Sequence, residues 1–113
     1  MLKQFPIFLL LLIGSHSFGQ SQRSSKEVKN DSLWSVWQNK KLADTTRLHA
    51  LGFYAWRKFV FSQPDSALHY ADIQLNLAKE LGHKKYIAFA LDTKGTAYWV
   101  KGDYSKSLSF YKE

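Results

Sequence analysis

Apolar residues after residue 43 recur at intervals of three and four positions, the spacing of one face of an α-helix. One such stripe contains Leu48, Leu51, Ala55 and Phe59, and similar stripes recur in the segments that follow. No segment alternates apolar and polar residues as a half-buried strand does. We therefore predict an all-α fold in which short loops make consecutive helices antiparallel.

Helix start and stop signals divide the chain into hairpins. Pro64 is favoured in a first helical turn, and Asp103 is a natural N-cap. Gly82 and Gly102 follow the last periodic residues of two helices, where left-handed C-caps are expected. The predicted elements are a short first helix over 31–41, a helical hairpin over 44–82, and a second hairpin over 85–113 whose last helix is incomplete.

Residues 1–19 have the features of a secretory signal peptide. Lys3 precedes an apolar run of nine residues, too short for the roughly 20-residue helix that crosses a bilayer. Ser17 and Gly19 provide the small side chains that a signal peptidase requires, which predicts export to the periplasm or cell envelope. The alternatives are an uncleaved anchor and a buried N-terminal helix. Residues 20–30 are polar and aperiodic, which predicts a disordered linker.

Composition argues against several functions. The chain has no cysteine, which excludes thiol catalysis and disulfides. It carries 16 Lys and Arg against 9 Asp and Glu, but the basic residues are scattered as singles and pairs, so we expect no nucleic-acid binding. Asp65, His69 and Asp72 share one helix face, yet without a second histidine we interpret them as a solvated face and expect no metal or cofactor. No nucleophile motif surrounds any serine, so we expect no catalysis.

Self-comparison reveals an internal repeat of two helices. The first and third predicted helices align at a separation of 43 residues, which pairs Gly52 with Gly95. The second and fourth align at 40 residues, which pairs Ala67 with Ser107. A two-helix unit repeated at this period is typical of a helical solenoid, in which each unit buries its apolar face against the next.

The segment 91–111 resembles a tetratricopeptide repeat. That pattern has Gly and then Tyr in its first helix, Gly-Asp-Tyr in the turn, and a small residue followed by aromatic residues in the second helix. Gly95, Tyr98 and Ser107 match it, whereas Ala55 stands in the first unit where Tyr is usual. The resemblance implies a tetratricopeptide-like α-solenoid of about two repeats.

Close helix packing is expected at the small residues of each unit, with Gly95 facing Ser107 and Gly52 facing Ala67. The residues expected to pack the repeats are Leu48, Gly52, Ala67, Leu91, Gly95, Tyr98 and Ser107.

The order of leader, polar linker and repeats resembles the exported N-terminal region of bacterial sensor proteins. In that family the repeats precede a membrane segment and a class III adenylate/guanylate cyclase or histidine kinase domain. The resemblance implies a sensor or protein-interaction role without enzymatic residues, and membrane contact only through a downstream segment. The sequence stops inside the predicted fourth helix, so we expect a fragment of a longer protein. The alternative is a small helical protein that associates with itself.

In tetratricopeptide proteins the first helix of each repeat lines a concave groove that holds peptides or partner segments. Tryptophan and arginine contribute strongly to binding at such interfaces. A different interpretation is that the tryptophans pack against neighbouring repeats or the first helix. The residues expected to line the groove are His49, Phe53, Trp56, Arg57, Asp92, Thr96 and Trp99.

Overall fold

The computed structural model describes residues 25–112, which form five helices and no strand. The predicted all-α class is therefore confirmed for this part of the chain. Consecutive helices pack against each other and are joined by short loops, and α2 also contacts α4. The helices are α1 (Ser25–Gln38), α2 (Asp44–Tyr54, continuing as a π-helical turn over Ala55–Phe59), α3 (Pro64–Leu81), α4 (Lys84–Val100) and α5 (Tyr104–Tyr111).

Helix α1 begins earlier than the sequence suggested. The linker was expected to reach residue 30, but residues 25–30 are helical, and Asn30 is buried inside the helix. The segment contains neither Gly nor Pro, and Leu33 and Trp34 anchor the helix against the core. A helix nucleated by such packing extends readily through polar residues. The predicted signal peptide, 1–19, and the first part of the predicted linker lie outside the described residues.

Arg47 fastens the end of α1 to the start of α2. Its Nε donates a hydrogen bond to the carbonyl oxygen of Trp37 at 2.8 Å, and its guanidinium lies 4.6 Å from the centre of the Trp37 ring. Asp44 does not cap α2, because Ala43 occupies the N-cap position and the Asp44 carboxylate lies 3.5 Å from the Arg47 guanidinium. A side chain that both donates to an exposed helix-end carbonyl and covers an indole fixes the angle between the two helices.

The glycine and proline signals mark the loops as predicted. Helix α3 begins at Pro64. Gly82 has a φ of 65°, and the amide of His83 donates to the carbonyl of Ala78 at 2.9 Å, as in a Schellman C-cap. Gly102 ends α4 in the same way with a φ of 85°. Asp103 then caps α5, because its Oδ1 accepts a hydrogen bond from the amide of Lys106.

The core is built from two clusters of buried side chains. Tyr54 lies at the centre of an aromatic group in the larger cluster, with Trp34 at 4.9 Å and Phe59 at 5.4 Å between ring centres. The π-helical turn buries both Ala55 and Phe59, and Phe59 lies inside this cluster. Leu48, Ala78 and Tyr86 form the smaller cluster. Together they join α1, α2, α3 and α4.

Gly52 lies where α2, α3 and α4 meet. A methyl group in place of its hydrogen would collide with Nε2 of Gln74 and lie 3.0 Å from the Phe89 ring. The fully buried Gln74 uses the same Nε2 to donate to the carbonyl of Leu48 at 3.1 Å. The expectation that Gly52 faces Ala67 was therefore wrong in detail, because the nearest atoms belong to a buried amide and an aromatic ring.

Gly95 plays the corresponding part in the second hairpin, and here the expected partner is confirmed. Oγ of Ser107 donates to the carbonyl oxygen of Gly95 at 2.6 Å, and Ser107 is buried. The ring of Tyr111 lies against the glycine at 2.9 Å from the position of an added methyl group. Beyond it, the Tyr98 ring stacks on Phe110 at 5.4 Å. Both hairpins thus join their helices through a side-chain donor and a main-chain carbonyl near a glycine.

Replacing the two glycines tests how rigid these contacts are. Each Gly→Ala change favours the helix by about 1 kcal/mol. We expect G52A to lower the free energy of unfolding by about 1–3 kcal/mol, because Gln74 is enclosed and cannot move aside. In G95A the half-exposed Tyr111 can rotate away, so the stability should stay within about 1 kcal/mol of the wild type.

Urea unfolding followed by circular dichroism measures both changes, with G95A as the matched control. Equal stability of the two variants would show that the packing around Gln74 adjusts freely.

Candidate functional site

A groove runs between the second half of α2 and the first half of α4. Phe53 and Trp56 form its α2 wall, one helical turn apart. The groove, called here the aromatic groove, is lined by Phe53, Trp56, Lys85, Ala88, Phe89 and Asp92.

Ring packing fixes the floor of the aromatic groove. Phe53 and Phe89 meet edge to face with their centres 5.2 Å apart. Phe89 also lies against Gly52, so the missing side chain there lets the ring sit between α2 and α4. Trp56 is half-buried against the core, and its ring meets the Phe61 ring edge to face with the ring centres 5.9 Å apart. The floor is therefore apolar and already formed, as is usual for sites that bind side chains of a ligand.

The concave surface continues across α4 towards α5. Ala88 and Asp92 line the aromatic groove and also a second depression, so the two are continuous. Ala88 is exposed, and its methyl group leaves a low ridge between them. The other lining residues of the second depression are Lys84, Ile87, Leu91, Phe110 and Tyr111.

Two of the predicted residues flank the aromatic groove through Phe53. The Arg57 guanidinium lies 5.0 Å from the Phe53 ring centre, and Arg57 itself is exposed. The His49 ring lies 4.7 Å from the same ring on the preceding turn. Nδ1 of His49 is 3.5 Å from the Tyr86 hydroxyl, which holds the imidazole beside the groove. Phe53 thus supports a cation on one side and an imidazole on the other.

The structure brings together His49, Phe53, Trp56, Arg57 and Asp92, but it separates Thr96 and Trp99 from them.

Thr96 and Trp99 lie about one and two helical turns beyond the groove lining on α4. The Thr96 hydroxyl forms a hydrogen bond with the Tyr111 hydroxyl, and the two oxygens are 2.7 Å apart. Trp99 is 57% exposed and lies near Tyr104 at 6.4 Å. Neither residue lines the aromatic groove, because α4 is displaced along its own axis relative to α2. Phe53 faces Phe89, two turns before the position that the repeat alignment pairs with it.

The alternative interpretation, in which Trp56 and Trp99 are packing residues, describes Trp56 but not Trp99. Trp34, Trp37 and Trp56 pack against the larger core cluster, whereas Trp99 does not. Trp56 has both roles, since it also forms part of the groove wall.

Of the four residues on the α4 side of the groove, sequence reasoning predicted only Asp92. Lys85, Ala88, Phe89 and Asp92 recur at intervals of three, one and three residues, which places them on one helix face. That stripe was the available signal. The repeat alignment instead pairs Phe53 and Trp56 with Thr96 and Trp99, which lie farther along α4 than this stripe.

The described residues contain no cluster of three or more metal-ligating side chains. Asp65 accepts a hydrogen bond from Lys101, which raises the pKa of that lysine, and Asp72 pairs with Lys94. His69 packs on a neighbouring tyrosine ring. The two ion pairs join α3 to α4 and to the residue that follows it. None of the helices in residues 25–112 combines the length and apolar character that a membrane span needs.

Comparison of the chain with protein-family profiles, curated proteins and solved structures found no match. The features that bear on function are therefore the groove itself and the residues that resemble a tetratricopeptide repeat.

Removing the Thr96 hydroxyl tests whether this residue supports α5 and not the groove. We expect T96V to free Tyr111 and to speed amide hydrogen exchange in α5, at a cost of about 0.5–1.5 kcal/mol in local stability. Asp92→Asn is the matched control, since Asp92 is exposed on the same helix and makes no ion pair with a described residue. Unchanged exchange in α5 of T96V would contradict the assignment.

Proposed function

We propose that this chain is a non-catalytic module that binds a protein or peptide segment, built as a tetratricopeptide-type helical solenoid. The aromatic groove is the observation that carries the proposal. It is apolar at its floor, open along its length and placed between the first helices of two successive hairpins. The packing of α2 on α3, of α3 on α4 and of α2 on α4 supports a solenoid arrangement.

The shape of the groove suits a chain segment with projecting side chains. Phe53, Trp56 and Phe89 offer ring faces and edges on which an apolar side chain can be buried. The low ridge at Ala88 lets a ligand continue into the second depression, where Phe110 and Tyr111 offer a second apolar contact. A few buried anchors of this kind supply most of the affinity in peptide recognition.

The resemblance to exported sensor regions supports a role for this binding module within a signalling protein. Residues 1–19 would direct it to the periplasm or cell envelope. Binding of a partner would then be the input, and any catalytic output would reside in a cyclase or kinase domain whose residues are absent from this sequence.

A groove variant tests the proposal directly. Peptides are selected from a phage-displayed random dodecamer library on the immobilised protein, and the affinities of the enriched peptides are measured by fluorescence anisotropy. We expect A88Q to weaken binding roughly tenfold, about 1.4 kcal/mol, because the longer side chain blocks the ridge between the two depressions.

Asn76→Gln on α3 is the matched control, since it adds length at an exposed helical position that lines neither depression. Enriched peptides that bind A88Q as well as the wild type would place binding elsewhere, and failure to enrich any peptide would count against the proposal.

A second candidate function, self-association, is favoured by one surface. Tyr104, Leu108 and Tyr111 are 50–63% exposed and form a continuous apolar stripe along α5. Such a stripe is often covered by another helix. If a second copy covers it, sedimentation should show a dimer that L108E converts to a monomer.

Ser105→Glu on α5 places the same charge outside the stripe and should leave a dimer intact. A wild-type protein that stays monomeric at about 100 μM, a concentration at which specific homodimers normally persist, would exclude this candidate.

A further inference from the structure

We infer that the ligand of the aromatic groove is an acidic peptide segment, in which carboxylates flank apolar anchor residues. The inference rests on the proposed function and adds the charge of the ligand to it. Its basis is the distribution of paired and unpaired charges around α4.

The groove and its continuation carry more positive than negative charge. Lys85 lines the aromatic groove, Lys84 lines the second depression, and Arg57 flanks the groove on α2. Within residues 29–112, none of the three has a carboxylate within ion-pair distance. Asp92 is the one carboxylate in the combined lining. An approaching ligand therefore meets three cations and one anion.

The other side of α4 has the opposite arrangement. Lys94 and Lys101 lie about half a helical turn away from the groove stripe. They pair with Asp72 and Asp65 of α3 respectively. Lysines are thus paired with aspartates where α4 packs on α3. Where α4 faces the groove, its lysines have no carboxylate partner among residues 29–112. A ligand with carboxylates would complete the pairing on the groove side.

Arg57 is held in a position that suits carboxylate binding. Its guanidinium carbon lies 5.0 Å from the centre of the Phe53 ring, a cation–π contact that holds the side chain beside the groove. An arginine fixed in this way loses little side-chain entropy when it binds a carboxylate through two parallel hydrogen bonds. The same Phe53 ring forms the groove floor, which places an apolar anchor site beside the cation.

The groove suits a peptide better than a nucleic acid. Phe53 and Phe89 meet edge to face at its floor, so one of their ring faces is already covered by the other ring. Asp92 lies at the centre of the combined surface, where it would repel a continuous phosphate backbone. A peptide can place its carboxylates near the cations and leave the region of Asp92 uncharged.

Charge reversal with library selection tests the inference. On the wild-type protein, we expect the dodecamers that lose affinity with A88Q to be enriched in Asp and Glu next to aromatic or aliphatic residues. Their binding should weaken as salt concentration rises. The double variant R57E/K85E should bind them at least about tenfold more weakly, and it should itself select basic peptides.

The matched control is K40E/K41E, which changes the net charge equally in the exposed loop between α1 and α2, outside the combined lining. It should bind within about twofold of the wild type, since exposed charges beyond the Debye length are screened. Circular dichroism verifies that both double variants are folded.

Each outcome has a separate meaning. Enriched peptides that depend on Ala88 but are neutral or basic would overturn the acidic-ligand inference and leave the proposed function standing. Equal weakening by R57E/K85E and K40E/K41E would reduce the effect to net charge and would also overturn it. Binding of a single-stranded oligonucleotide, used as a competitor, with higher affinity than any selected peptide would show that the cations serve nucleic acid instead.

Discussion

The contact of a buried amide with a glycine holds the described fold together. Nε2 of Gln74 reaches the carbonyl of Leu48 only because Gly52 has no side chain, and Phe89 enters from α4 at the same point. One missing methyl group therefore lets three helices meet. The arrangement costs stability elsewhere, since the Oε1 atom of Gln74 is buried without a hydrogen-bond partner in the described region. A polar group kept in the core at such a cost fixes the register of α3 on α2.

The glycine contact also sets the position of the candidate site. Phe89 bridges the core and the groove, because the ring that lies against Gly52 also meets Phe53 at the groove floor. The groove cannot deepen or close unless this ring moves. Phe89 is held between Gly52 and Phe53, so the packing of α4 on α2 positions the groove floor.

Local signals in the sequence predicted the helices, but not how they are aligned. Pro64, Gly82 and Asp103 act through backbone conformation and capping, which depend on neighbouring residues, and each lies where it was expected. The π-helical turn at residues 55–59 has no such local signal, and the level at which α4 packs on α2 is decided by long-range contacts. For that reason Phe53 and Trp56 line the groove while His49 and Arg57 only flank it, and Thr96 and Trp99 lie farther along α4.

Helix α4 combines three surfaces that demand different residues. Ala90, Thr93 and Ala97 are small and buried, so α4 can approach the core closely. The lysines at its junction with α3 form ion pairs with aspartates. The lysines of the groove side form no ion pair with a carboxylate of the described residues. Apolar and polar residues are only weakly segregated along this helix. Two of its three sides carry apolar residues, one towards the core and one towards the two depressions. The second apolar side borders the aromatic groove and the second depression, the surface to which the proposed partner would bind.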